Sequence, residues 1–422
     1  MLQLICLDNQ KKEDNSACVL KNNNGSLSIY LAIFFVVIIS ASVFFIKEAK
    51  NRAIESSTKS LSSVWLLSEL GKYDRHLYER YGIYGFYGNR DEMVKDINYM
   101  ANYSFKGKSF INYQGVEVNL SSNSVANPSI FKKEIIKASA SEHFKDMFNK
   151  EKKGAGYEPE EDNQIEGKVY NDAILADLPS NGVKSSISLS GFASKFEGVN
   201  SISSLIKIGS EELLVDTYAN SVFKNYAYNN NLGETVFSNE VEYLICGKNE
   251  DEKNRKRVKH YILGIRQIAN TFSITSNPDM KDRVKAIASL TGAAEVVTEA
   301  LLIEAWALAE SENDYQIMIR GGKVPFKKSS QEWATQIENV AEGIAEGYIE
   351  MDYTHGEDYN QYLNFFLFMI DEDVKLLRMM DLVQLNMKLN HYDDFLLKEY
   401  YVGLDLIIKV NNREVAVSKT YY

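Results

Sequence analysis

The sequence predicts an α+β chain, mostly helical, in which a single N-terminal transmembrane helix continues into a stalk helix and carries a large exocytoplasmic domain. Three observations predict it. Residues 27–46 read LSIYLAIFFVVIISASVFFI without a charged side chain, and about 20 apolar residues in a helix span a hydrocarbon core about 30 Å thick. Apolar residues recur downstream at helical spacing, which extends the helix beyond the membrane. The composition is 45% hydrophobic with 26 Tyr and 20 Phe, enough for a packed core rather than a disordered stalk.

The first element is a short tail, residues 1–24, followed by the anchor at 25–47. A cleavable secretory signal would have a shorter apolar core and a small-x-small cleavage site. Here KEAKNRAIESSTKS follows, which reads as helix continuing outward, so a permanent anchor is expected. Lys11, Lys12 and Lys21 stand before the span and Lys47, Lys50 and Arg52 after it, so flanking charge alone does not orient it. Long domains translocate largely regardless of charge, and the reading is tail in the cytoplasm, domain outside. Of 47 basic and 58 acidic residues, four and three precede residue 48, leaving 43 against 55 in the domain. A surface that acidic is repelled by nucleic acid. Cys6 and Cys18 precede the anchor and Cys246 stands alone after it, so no disulfide frame is expected.

The stalk is assigned to residues 48–90. Ile54, Leu61, Leu66, Leu70, Tyr73, Leu77 and Tyr81 make a helical seam, read either as packing on the chain's own domain or as an intermolecular contact through Leu66, Leu70, Tyr73, Leu77 and Tyr81. Gly82 and Gly85 end it. Residues 91–240 form a variable α+β region. It holds a hairpin around Gln114-Gly115, a helix from Pro128 to about Phe148, a charged linker near 150–167, and a helix at about 210–228. Residues 241–422 are helical and end in a hairpin turning at Asn411-Asn412. Within them lie an apolar stripe at Val258, Ile262, Ile265, Ala269 and Phe272, a helix opened by Pro278, a segment from Val296 to Leu308 expected to be buried on several sides, and one long helix at 358–390.

Several strings together resemble a known group. GSLSIYLAIFF, YDRHLYERYGIYGF, NEVEYLICGK, IRQIANTF, EAWALAES, GGKVPFKKS and RMMDLVQLNM are similar to an uncharacterised clostridial family of pilin-like, membrane-anchored proteins associated with tight-adherence (Tad) pilus systems. The resemblance covers the first 90 residues and the region after Glu240. It implies a location and a system, with no assigned activity. Prepilins place a Gly before the cleavage point and a Glu at the fifth mature position. Gly25 and Ser26 form the corresponding pair here, with Tyr30 fifth. That departure and the size of the domain point to a minor, tip or envelope-retained component rather than a major subunit.

Chemistry-bearing motifs are weak. Ser56-Ser57-Thr58-Lys59, Ser121-Ser122-Asn123 and Lys419-Thr420 echo the three motifs of penicillin-interacting enzymes, but Tyr421 stands where the third requires Gly,. The five histidines show no metal-ligand spacing, and His355 with Asp352, Glu357 and Asp358 reads as a polar turn. Asp371, Glu372 and Asp373 read as a solvated helix face. No phosphate-cradling or dinucleotide glycine motif exists. The aromatic group Tyr73, Tyr78, Tyr81, Tyr84, Phe86 and Tyr87 is expected to pack where stalk meets domain, with partner docking as the sharper alternative. Trp306 and Trp333 are expected in the core. The expectation is a non-enzymatic protein with no catalytic residue, cofactor, metal or small-molecule substrate, working in a membrane beside other pilin-like or envelope proteins. An extracellular sensor and an envelope hydrolase are the alternatives.

Overall fold

The structure is a computed structural model, described over residues 24–141, 177–181, 183–184, 187, 199, 201–206, 211–227, 234–290, 295–344 and 347–421. Residues 1–23, the linker expected near 150–167 and the far end of the helix expected to reach Phe148 lie outside them. The fold is 64% helix and 9% strand, so its small sheets are inserts in a helical frame.

The chain opens with α1 (Asn24–Leu70), 47 residues of uninterrupted helix. Its first half is exposed along its whole length, from Leu27 at 69% to Ile46 at 69%. The second half changes character. Ile54, Thr58, Ser62, the pair Trp65-Leu66 and the pair Glu69-Leu70 are buried, one position or pair on each successive turn. Thr58 and Ser62 donate their hydroxyls to the carbonyls of Ile54 and Thr58 at 2.8 and 2.7 Å. Each small polar side chain is thus satisfied on its own helix, leaving a low surface for a close neighbour.

That neighbour is a three-stranded antiparallel sheet. β2 (Tyr113–Asn119) pairs with β4 (Gly403–Val410), which pairs with β5 (Arg413–Thr420). Leu404, Leu406, Ile408 and Val410 alternate inward along β4 and meet α1 together with α3 (Arg90–Phe105). Asn411 and Asn412 both adopt positive φ, 51 and 59°, the conformation a two-residue hairpin loop demands and asparagine tolerates. The turn at Asn411-Asn412 is therefore as the sequence predicts. The hairpin expected around Gln114-Gly115 is instead one strand with a bulge, where Gly115 reaches φ 137° and the register to β4 shifts. Gln114 exchanges two hydrogen bonds with Asn412, at 2.6 and 2.9 Å, and this fastening replaces the turn.

The stalk expected at 48–90 breaks in two. Gly71 follows α1, and Asp74 caps α2 (Arg75–Tyr81) by accepting from the Leu77 N–H at 2.9 Å. Gly82, at φ 66°, ends α2. A two-stranded ribbon joins β1 (Phe86–Tyr87) to β3 (Tyr400–Tyr401), so residues before and after position 240 share both sheets.

The larger core is helical. It packs α4 (Pro128–Ala140), α5 (Glu211–Val222), α6 (Glu240–Cys246), α7 (Asp251–Ser276), α11 (Tyr359–Phe368) and α12 (Glu372–Asn390) around one hydrophobic cluster. The helix expected over 358–390 is two, because Asp371 caps α12 through the N–H groups of Asp373 and Val374. A satellite cluster holds Trp306 and Trp333 between α8 (Pro278–Leu290), α9 (Glu295–Ile319) and α10 (Ile337–Ala341). The Val296–Leu308 stretch is not buried all round. Trp306 and Ala307 face inward, while Val297, Leu301 and Leu308 are exposed.

Leu66 and Leu67 are adjacent yet 0% and 54% exposed. Truncating Leu66 to Ala is expected to cost about 2–5 kcal/mol, and truncating Leu67 about 0.5 kcal/mol or less, read by urea unfolding of the detergent-solubilised chain.

Candidate functional site

The feature with the clearest bearing on function is the junction where α1 leaves its exposed apolar half and enters the domain. Among the described residues, α1 is the one helix long and apolar enough to cross a membrane, and its apolar window is wholly unburied. Gly25 and Ser26 lie in its first turn, where backbone N–H groups have no intrahelical acceptor.

Of the five seam residues, four point into the protein itself. Leu66 and Leu70 pack against the three-stranded sheet, and Leu77 and Tyr81 join the larger helical core. Tyr218 donates its hydroxyl to the Tyr81 carbonyl at 2.6 Å. A neighbouring subunit could reach these four only by opening that packing. Tyr73, 38% exposed, sits in an aromatic cluster with Tyr78, Tyr84 and Tyr421, ring centres 4.4 to 5.8 Å apart. Tyr421 also donates to the carbonyl of Leu70, the last residue of α1, at 2.5 Å. Its hydrogen-bonded neighbour Tyr78, together with burial, pushes the Tyr84 hydroxyl up to about 12.

Beyond the junction lie two polar assemblies that sequence reasoning missed. In the first, α6 is buried at all seven positions, its Val241 N–H donates to the Lys224 carbonyl at 3.0 Å, and the glutamates of its first turn need partners of their own. Glu240 accepts from the Lys224 N–H at 2.8 Å and from Asn386 at 2.6 Å. Glu242 accepts from the Tyr226 N–H at 2.9 Å and the Tyr359 hydroxyl at 2.7 Å. At the other end Arg378 donates to the carbonyls of Leu244 and Ile245 at 2.8 and 3.0 Å. Gly247 has φ 62°, and a Cβ there would stand 2.6 Å from the Arg378 guanidinium carbon, so glycine is required twice over. Burial pushes both glutamates up to about 7, against the hydrogen bonds they accept.

The second assembly joins α7, α9 and the segment after Gly322. Arg266 grips one oxygen of Asp314 at 2.8 and 2.9 Å and donates to the Pro325 carbonyl at 2.9 Å. Lys328 meets the other Asp314 oxygen at 2.5 Å and also pairs with Glu310. Glu310 in turn accepts from the N–H and hydroxyl of Thr335 at 2.9 and 2.8 Å. All four charged side chains are fully buried, two of each sign. Burial raises the Asp314 carboxyl, but Arg266 and Lys328 more than reverse it and hold it below its ordinary value. The set is a neutral clamp across three elements.

The sequence model of a family of unknown function, DUF5702, matches residues 130–412. The chain belongs to that family. Neither the curated proteins nor the solved structures yield a match. The DUF5702 region includes both polar assemblies and β4, and begins after α1, α2 and α3. The match thus lies wholly outside the long N-terminal helix.

The motif residues outside these assemblies do local work. Ser56 is exposed on α1, and Lys59 pairs with Glu55 at 2.8 Å. Ser122 donates to Asp405 at 3.2 Å. His355 stands 3.4 Å from Glu332, Glu357 accepts from Ser203, and Asp358 caps α11. Among the described residues no three metal-binding side chains converge. Two shallow clefts, about 280 Å³ beside Pro278 and Lys327 and about 350 Å³ beside Asp177 and Lys398, do not include Ser56, Ser122 or Lys419.

Two outcomes are expected. Arg266→Met strands Asp314 beside a single cation and should destabilise the chain by about 3–5 kcal/mol, measured by urea unfolding. Because the folded-state values of Glu240 and Glu242 lie above their ordinary 4.5, the folded state binds more protons between pH 4.5 and 7. Their contribution therefore stabilises at low pH and is lost as pH rises toward 7. The Glu240→Gln, Glu242→Gln double variant should show a flatter stability profile across that window.

Proposed function

We propose that the protein is a non-enzymatic, single-pass membrane protein whose exocytoplasmic domain serves assembly or surface interaction, as a pilin-like or accessory component of a Tad-type pilus or related envelope structure. The observation that carries this is α1 itself. One unbroken helix is exposed and apolar over the length of a bilayer and then becomes part of the domain core. The same helix runs on past the apolar stretch into residues 54–70, which are core, and this continuity supports a retained anchor. The strings that resemble the Tad-associated family supply the pilus link.

With Leu66, Leu70 and Leu77 committed inward, the outer face of α1 offers Val64 and Leu67, 62% and 54% exposed, to a neighbouring helix. Contact between subunits is assigned to the exposed apolar half of α1 continued by these two residues. Leu67→Glu should abolish cross-linking between subunits while leaving the thermal unfolding of the chain unchanged. Cross-linking that persists would remove the subunit contact from this face.

The intact mass of the chain extracted from native membranes tests the wider reading. A chain beginning at Ser26 indicates prepilin-type processing despite Tyr30, an uncut chain indicates a static anchor, and recovery in the soluble fraction overturns the assignment. Protease added to intact cells should digest the domain.

A further inference from the structure

On the reading of α1 as a membrane span, the geometry points to a lipid-binding rim on the domain. We propose that the tip of the β4–β5 hairpin and the loop before β2 rest in the headgroup layer of the bilayer that holds α1. Phe110 is the apolar foot, and Lys108 and Arg413 meet lipid phosphates.

Two contacts fix the height of this rim. Tyr421, just past β5, bonds to Leu70 at the far end of α1, while Arg413, the first residue of β5, reaches Glu48 at 3.6 Å. The strand thus lies alongside the helix with its hairpin tip toward the membrane. Glu48 is two residues past the apolar run, about 3 Å along the axis. The headgroup layer adds roughly 5–8 Å on each side of the hydrocarbon. Arg413 therefore stands at headgroup level, and the Asn411-Asn412 turn projects beyond it.

The loop before β2 is fastened to the same tip. Asn411 donates its side chain to the Phe110 carbonyl at 3.0 Å and accepts from the Asn112 N–H at 2.7 Å, and its own N–H donates to the Asn112 carbonyl at 3.0 Å. Phe110 is 49% exposed although Phe105 and Ile111 beside it are buried. No carboxylate occurs between Phe105 and Tyr113 or between Ile408 and Arg413, in a domain with 12 more acidic than basic residues overall (43 against 55). An aromatic ring beside Lys106, Lys108, Lys409 and Arg413, which outnumber the neighbouring carboxylates Glu48, Glu117 and Glu414, is the composition that settles at a membrane interface. The rest of the domain, being acidic, is repelled from anionic lipid, so rim attraction and bulk repulsion set one attitude of the domain over the bilayer.

The test uses the full chain with Cys6→Ser and Cys18→Ser, in vesicles of phosphatidylcholine and phosphatidylglycerol doped with a nickel-chelating lipid. Cys246 is buried and its thiol pushed up to about 12, so it stays unlabelled. Nitroxides are placed singly at Phe110→Cys, at Tyr87→Cys near the Leu70 end of the domain, and at Val36→Cys in the span. The expected result is relaxation by the lipid-borne nickel several-fold stronger at 110 than at 87, with 36 shielded from nickel and accessible to oxygen. Equal relaxation at 110 and 87 with 36 still in hydrocarbon overturns the rim and leaves the anchor standing. A water-exposed 36 overturns both.

Discussion

The structure depends on one helix whose two halves have different surfaces. Up to Ile46 α1 is uncharged and exposed on every face. From Ile54 onward one face is packed into the domain and the other stays exposed. The change takes about two turns of one continuous helix,. That continuity ties the apolar half directly to the half on which the sheet is packed.

The helical frame above the sheet is held by a different device. Its buried carboxylates and cations each close a particular gap: a helix end at α6, a three-element junction at Asp314. Such groups add little net stability over a well-packed apolar substitute, but they tolerate few alternative arrangements. Five of the strings quoted from the sequence coincide with them. NEVEYLICGK is α6 with its cap, RMMDLVQLNM supplies Arg378 and Asn386, and IRQIANTF, EAWALAES and GGKVPFKKS bring Arg266, Glu310 and Lys328. Those strings are thus at least partly a folding device, and their chemistry-rich spelling says little about activity.

Much of the fold is legible in the sequence, for identifiable reasons. The long apolar N-terminal helix, the stripe on α7, Pro278 and the Asn411-Asn412 turn rest on local rules, and each stands where those rules put it. The departures come from caps and long-range pairing. Asp74 and Asp371 each restart a helix that periodicity alone would run through. Gly115 reads as a turn until β4, nearly 300 residues later, straightens it into a bulge. The direction of the seam was also hidden. A stripe of Leu66, Leu70 and Leu77 looks the same whether a neighbour or the chain's own strands and helices fill it, and β5 lies far along the sequence. Tyr421 is invisible as a junction residue for the same reason.

The pairing of α1 with β4 and β5 has a consequence for biosynthesis. The face of α1 from Ile54 to Leu70 emerges well before strands β4 and β5, which begin at Gly403 and Arg413 and cover it. Until they follow, that face is apolar and uncovered, along with its partners on α3. Such an exposed intermediate is prone to wrong pairing, and closing it joins segments about 350 residues apart, which is slow. Emergence of β4 and β5 is then the step that commits the protein to its native form, and a ribosome stalled before residue 403 leaves an uncovered apolar face for quality control to clear.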